Sequence, residues 1–355
     1  MIVKDESAVI RRCLASVKPF IDCWVIVDTG SVDGTQTIIR EFLKEIPGEL
    51  HERPWIDFAY NRNAALDLAK NKCKYLLLID ADERLECLKS FAMPELVYDF
   101  YVVIVLVEGQ IRIHRELLIK SSLDWKWVGA VHEGITCTRA KSYQVLQDVV
   151  NIAAQDGQRS RNPKKFLQDA QMLEKAIEKD PKNGRNVFYL AFSYDVGGEY
   201  ASALKNYEKR VEMAGFAEEV FYSLYRKAWL QEQLKMSADT VIASYSSAYL
   251  YRPTRAEPLF CLANYYIKNQ IPLMGYFVSK NAIAIPLPND TVLVDYPVYS
   301  YRLLEQHADS CFLLKKYDET IASYRKLLAN KDLPDDDRQK IVQLYGQIDR
   351  LRRLN

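Results

Sequence analysis

The sequence predicts an α/β domain over residues 1–155 followed by an all-α helical-repeat domain over residues 156–355. Three observations carry this prediction. Short β-branched and apolar runs alternate with amphipathic segments up to about residue 155, and two of those runs end at an aspartate. Strand signals fade beyond about residue 160. From there, helix-length segments recur in pairs, with aromatic and small residues in register.

In the first half, Trp24-Val25-Ile26-Val27 and Tyr75-Leu76-Leu77-Leu78-Ile79 are near-continuously apolar. This pattern suits strands buried on both faces of a parallel sheet. Thr35 to Glu45 and Ala59 to Asn71 have helical periodicity between them. Strand–helix alternation places ligands at the C-terminal strand ends, where both aspartate clusters fall.

In the second half, the clearest unit is Leu190-Ala191, Tyr194, Gly198-Glu199-Tyr200, Ala203 and Tyr207. Related spacing returns at Ala263, Tyr266 and Gly275, and again at Ala308, Lys316-Tyr317 and Tyr324. Pro181, Pro253, Pro286 and Pro334 punctuate helix ends. Small residues at a close helix crossing, ringed by Tyr and Leu, describe a tetratricopeptide-like unit of about 34 residues. The spacing drifts, which gives roughly three to four irregular repeats. Tyr245, Tyr249, Tyr251, Tyr265 and Tyr266 are expected mainly as repeat-core residues.

Composition narrows the function. With 48 basic and 47 acidic side chains the net charge is +1, without the basic excess that phosphate neutralisation by a nucleic-acid binder needs. No run of 18 apolar residues occurs, the longest candidate being the strand-length Val102 to Val107, and no signal pattern opens the chain. The seven scattered cysteines include no CxxC pair. They read as free thiols of a reducing compartment, and the location expected is cytoplasmic.

Three segments offer chemistry. Asp80-Ala81-Asp82-Glu83 follows an apolar strand, and alternation turns residues 80 and 82 the same way. Two converging carboxylates repel unless one protonates or a hard divalent cation, Mg²⁺ or Mn²⁺, sits between them. Such a cation would neutralise a departing nucleoside diphosphate. On its own, a bare pair of this kind reads first as a solvated acidic turn or a helix cap, and the preceding buried strand narrows the odds. The second segment, Asp28-Thr29-Gly30-Ser31-Val32-Asp33-Gly34-Thr35, places a carboxylate at a strand end before a capped turn, without the GxGxxG or P-loop pattern. The third, Trp125 to Glu133, sets indoles as sugar platforms beside His132 and Glu133, a metal or phosphate contact next to a general base.

Together these segments resemble the family 2 glycosyltransferases of the GT-A fold. Ile2-Val3-Lys4-Asp5-Glu6 is similar to that family's first nucleotide-binding strand, and Asp28 to Thr35 to its second strand and turn. Phe58-Ala59-Tyr60-Asn61-Arg62-Asn63 resembles its FAxxRN element, Asp80 to Glu83 its DxD motif, and Val131-His132-Glu133 the HE pair of a subset. Asp156-Gly157-Gln158-Arg159-Ser160, Phe188-Tyr189-Leu190-Ala191, Arg252 to Leu259 and Ile285-Pro286-Leu287-Pro288 look like tetratricopeptide-linked members. The resemblance implies a Mn²⁺- or Mg²⁺-dependent inverting transferase using a nucleotide sugar, with a UDP-sugar the expected donor. Val3, Asp28, Arg62 and Asp80 would then serve the nucleotide, and Asp82, Asp80 and His132 the metal. Asp82 and Glu133 would be catalytic, Glu133 as base toward the acceptor. The repeats would bind a protein, peptide or glycan acceptor, and exposed repeat ends allow pairing into a homodimer.

Two departures from the family pattern stand out. The chain begins inside the first strand motif, and Arg84 to Gln110 is compressed. The rival reading is a tetratricopeptide scaffold with a degenerate transferase half. A sugar nucleotidyltransferase would show a glycine-rich basic loop where this chain has Lys4-Asp5-Glu6-Ser7.

Overall fold

A computed structural model describes residues 1–89 and 91–354. The chain divides into two compact units, Met1–Glu199 and Tyr200–Asn355. The division falls between the two helices of the clearest repeat in the sequence.

In the first unit, β1 (Ile2–Val3), α1 (Ile10–Val17), β2 (Trp24–Asp28), α2 (Thr35–Phe42), β3 (Gly48–Glu52) and α3 (Phe58–Ala69) alternate as expected. β1, β2 and β3 form a parallel sheet in that order, with Val3 opposite Asp28. Ile10, Leu14, Ile26, Ile39 and Leu43 are buried together beneath it. The next strands are β4 (Tyr75–Leu77), β5 (Glu83–Cys87), β6 (Phe100–Val107), β7 (Ile111–Lys120), β8 (Lys126–Val128), β9 (Gly134–Thr136) and β10 (Tyr143–Ala153). The stretch from residue 84 to 110 therefore contributes two strands despite its brevity. The second sheet is mixed: β6 is antiparallel to β7 and parallel to β10, which is antiparallel to β5. β4 pairs antiparallel with β7. This differs from the single parallel sheet expected, because the hydrogen bonds of β4 are made with a strand that follows it rather than with β1. A cavity of 410 Å³ is lined by residues of both β1 and β4, including Ile2 and Leu76. Neither Asp28, Asp80 nor Asp82 lines it.

Helices α4 (Lys165–Lys179) and α5 (Gly184–Val196) complete this unit. Ala170, Leu173 and Leu190 bury Val131, so the helix pair packs on the loop that carries His132 and Glu133. Cys23 and Cys73 are paired, which corrects the expectation of seven free thiols. They lie 50 residues apart in sequence, a separation at which local spacing carries no signal. Cys13, Cys87, Cys137, Cys261 and Cys311 are free.

The second unit contains α6 (Tyr200–Glu212), α7 (Ala217–Gln233), α8 (Ala238–Tyr251), α9 (Glu257–Lys268), α10 (Pro272–Ala282), α11 (Leu303–Leu313), α12 (Tyr317–Ala329) and α13 (Asp335–Leu354). Each helix packs on the next. The small-residue crossing expected at Ala263 and Gly275 is present. A Cβ at Gly275 would lie 2.8 Å from Ile267 Cγ1 and 3.3 Å from the Ala263 carbonyl oxygen. Tyr245 and Tyr266 are core residues beside Ala228, Val241 and Leu262, whereas Tyr251 is exposed. Among the described residues, no helix is long and apolar enough to cross a membrane.

Candidate active site

Asp28 ends β2 fully buried. Its Oδ1 accepts the backbone N–H groups of Gly30 (2.6 Å) and Ser31 (2.8 Å), which is how the turn closes. Gly30 at φ 109° occupies a backbone conformation that L side chains rarely adopt. Asp28 Oδ2 is buried and has no hydrogen-bond partner among the described residues, so half of this carboxylate remains available to a ligand donor. Val3 contributes no exposed side chain. Its carbonyl oxygen accepts both the N–H and the hydroxyl of Thr29 and so anchors the same turn.

Arg62 on α3 ties the site together. Its Nη1 is 2.8 Å from Asp80 Oδ1, its Nη2 donates to Asp80 Oδ2 at 2.9 Å, and its Nε donates to Glu133 Oε1 at 2.7 Å. Its guanidinium also lies over the Trp127 ring at 4.9 Å. Asn63 next door exchanges two hydrogen bonds with the Trp127 backbone, at 2.9 and 3.0 Å, and fixes α3 against β8. Burial alone would raise the Asp80 carboxyl, but the Arg62 charge outweighs it and holds Asp80 well below the usual carboxylate range. Arg115 from β7 adds to this and pairs with the buried Glu83.

The two DxD carboxylates therefore have different surroundings. Asp80 is neutralised by arginine, whereas burial pushes Asp82 up, with the charges of Asp80 and Glu83 adding to the effect. The neighbour of Asp82 is Glu6. A Cβ at Gly157 would lie 3.0 Å from Glu6 Oε2 and 3.2 Å from Asp82 Oδ2, so one glycine separates the two carboxylates. Burial raises Glu6 to about 7, against the hydrogen bond its Oε2 accepts from the Gln158 N–H and with the Asp82 charge adding. Neither Asp82 nor Glu6 has a basic side chain within ion-pairing distance among the described residues. Hard oxygen ligands without a counter-charge fit a divalent cation. The 156–161 segment is fastened here, since Asp156 forms a bidentate pair with Arg12 (2.7 and 2.8 Å) and Arg12 also donates to the Asp82 carbonyl at 3.2 Å.

His132 stands apart from this ligand set. Its ring stacks on Tyr189 of α5 at 4.3 Å and meets Phe192 edge-on at 5.8 Å. Burial lowers it to about 3, and the positive charges of Lys165, Arg159 and Arg185 push the same way. Glu133 is present in the site but engaged by Arg62, its side chain only 8% exposed.

Among the described residues one group of three metal-ligand types converges, His307, Cys311 and Glu319 in the second unit. There Glu319 already accepts from Lys316 and Tyr276, and the charges of Lys280, Lys316 and Lys326 act against a further cation. It is best described as a satisfied polar core.

Reading the sequence missed Glu6 as an individual site residue, along with Arg115 and Gly157. Glu6 and Gly157 were visible only inside motifs, because their meeting joins positions more than 150 apart.

Residues 1–89 match the family model for glycosyl transferase family 2. The N-terminal part of the chain is thus similar to family 2 glycosyltransferases, and helices in repeat order follow it. A TPR repeat-containing protein of Synechococcus elongatus is 41% identical over 85 residues, 24% of this chain and 20% of the relative. The lipopolysaccharide core biosynthesis glycosyltransferase LpsC of Rhizobium meliloti is 31% identical over 98 residues, 27% of this chain and 35% of the relative. The chain thus spans only a minor part of the length of these relatives. Among solved structures, a crystal structure of MamA has a TM-score of 0.38 at 16% identity, covering 46% of this chain and 86% of that one. At that score the repeat assignment rests on the helix order and crossings described above.

Proposed function

We propose that the protein transfers a sugar from a nucleotide sugar, a UDP-sugar, to an acceptor by metal-assisted inverting displacement. The observation that carries this reading is the Asp82–Glu6 pair, two carboxylates without a counter-cation at the strand ends of a family 2 domain. These two residues would hold Mn²⁺ or Mg²⁺, which when bound supplies charge neutralisation for the diphosphate leaving group. The free Oδ2 of Asp28 accepts a hydrogen bond from the base or ribose. Arg62 acts by position, holding the Asp80 carboxylate and orienting Glu133 through its Nε–H. Glu133 accepts the acceptor proton as the acceptor attacks the anomeric carbon and the nucleoside diphosphate departs. The helical repeats bind the acceptor, and a protein or peptide suits a stack of helix pairs.

Calorimetric binding of UDP, with GDP as control and with or without Mn²⁺, tests the reading. Metal-dependent UDP binding that disappears in Asp82→Ala supports it. Absence of nucleotide binding under every condition replaces it with the scaffold reading.

A further inference from the structure

Three turns of the second unit close in the same way. Between α7 and α8, α9 and α10, and α11 and α12, a residue in the left-handed conformation follows the first helix: Lys235 (φ 56°), Gln270 (φ 61°) and Lys315 (φ 58°). The next backbone N–H then reaches back to an orphan carbonyl of that helix. Met236 donates to the Gln231 carbonyl at 3.0 Å, Ile271 to Tyr266 at 2.9 Å and Lys316 to Cys311 at 2.8 Å. Equivalent turns of stacked helix pairs fall on one edge of the stack. Two contacts join the turns here. Lys268 at the end of α9 is 3.7 Å from Glu232 near the end of α7, and Lys316 lies over the Tyr276 ring of α10 at 4.6 Å.

Each turn presents large apolar side chains to solvent beside lysine. Leu234 and Met236 flank Lys235, Ile271 and Leu273 follow Lys268, and Phe312 and Leu313 precede Lys315 and Lys316. These six apolar residues are between 38% and 52% exposed, although the turns that carry them are hydrogen-bonded shut. Carboxylates are scarce around them. Residues 258–289 include Lys268 and Lys280 but no Asp or Glu. Glu232 and Glu319, which adjoin the turns, are each engaged by a lysine, Glu232 by Lys268 and Glu319 by Lys316 at 2.8 Å.

Exposed apolar side chains rimmed by one sign of charge mark a contact surface. Two properties match this edge to lipid. The lysines complement anionic headgroups, and their long stems keep the ammonium groups at headgroup level while the apolar neighbours enter the acyl boundary. The pairing of lysine with apolar side chains also repeats from turn to turn, which suits a surface that is alike everywhere better than a partner with one pocket. We propose that the turn edge of α7 to α12 docks on an anionic membrane surface. This docking is peripheral, needs no spanning helix, and does not depend on the donor site.

The test is flotation of the full chain with vesicles of phosphatidylglycerol and phosphatidylcholine in equal parts, against vesicles of phosphatidylcholine alone. The native chain floats with the anionic vesicles only, and the bound fraction falls as salt is raised. Lys235→Gln combined with Lys315→Gln lowers the partition coefficient by about fivefold for each lysine. The fold tolerates this pair, because Gln270 already occupies the same left-handed position in the middle turn. Leu273→Ser combined with Leu313→Ser lowers partitioning by about tenfold or more, while the thermal melt stays native because both leucines are half exposed. No flotation of the native chain with anionic vesicles, or native partitioning in either double variant, overturns the proposal. Absence of flotation together with a dimer in sedimentation velocity that Leu273→Ser and Leu313→Ser dissolve also overturns it, and assigns the edge to a second copy of the chain.

Discussion

Replacing Arg62 with Met isolates what the central arginine does. Methionine keeps an unbranched apolar stem against Trp127 but removes the charge that now meets Asp80 and Glu133. Asp80 is 28% exposed and can recover water, whereas Glu133 is 8% exposed and is left as a buried carboxylate without a partner. Removing one member of a buried ion pair destabilises by about 3–5 kcal/mol, and the rehydration of Asp80 places Arg62→Met near the lower end, ~3 kcal/mol. Glu133→Gln leaves an oxygen for the Arg62 Nε and should cost only about 1–2 kcal/mol. The double variant leaves no buried charge at position 133, so the two effects should fall short of additivity by about 1–2 kcal/mol. Urea unfolding followed by tryptophan fluorescence measures this as a shift in midpoint at constant slope. A loss below ~1 kcal/mol for Arg62→Met, or strict additivity in the double variant, would refute the idea that Arg62 holds the site together.

Two further perturbations probe separate parts of the chain. Gly157→Ala introduces a Cβ 3.0 Å from Glu6 Oε2 and 3.2 Å from Asp82 Oδ2. The far-UV spectrum should stay native while metal-dependent UDP binding weakens, and unchanged binding would mean that the carboxylate pair does not hold the metal. In the second unit, Arg255 is fully buried and paired with Glu257 at 2.7 Å and Asp290 at 3.0 Å. Arg255→Met strands Glu257, which is itself fully buried, and should destabilise that unit by about 3–5 kcal/mol in chemical denaturation. Burial alone would raise Asp290, but hydrogen bonds from Arg252 and Arg255 outweigh it and keep its carboxyl low. A carboxyl lowered by folding adds stability above its unfolded pKa of about 4 and loses it as pH falls through the folded value. Native stability should therefore decline below about pH 4, and the decline should be shallower in Arg255→Met; equal slopes would exclude this contribution.

What could be read in the sequence is what depends on neighbours within a turn or two. The apolar run ending at Asp28, followed by Gly30 and a capped helix, specifies a strand–turn–helix because periodicity and turn chemistry are local properties. The repeat register at Ala263 and Gly275 belongs to the same class, since a close helix crossing demands small side chains at a fixed spacing. The DxD placement after a strand was likewise visible, but the unequal surroundings of its two carboxylates were not. Arg62 and Arg115 come from α3 and β7 to neutralise Asp80, while Gly157 comes from beyond β10 to set Asp82 beside Glu6. Charge pairing acts through space, so the same residue types at the same spacing yield an ion pair at one aspartate and an uncompensated carboxylate two positions later. His132 shows this again: α4 and α5 surround its ring with cations and aromatic side chains, which its sequence neighbours do not reveal. Segment type and motif order were determined by the sequence itself. Which carboxylate is left free for a ligand was decided by the tertiary structure, because that depends on distances between segments that the linear order does not contain.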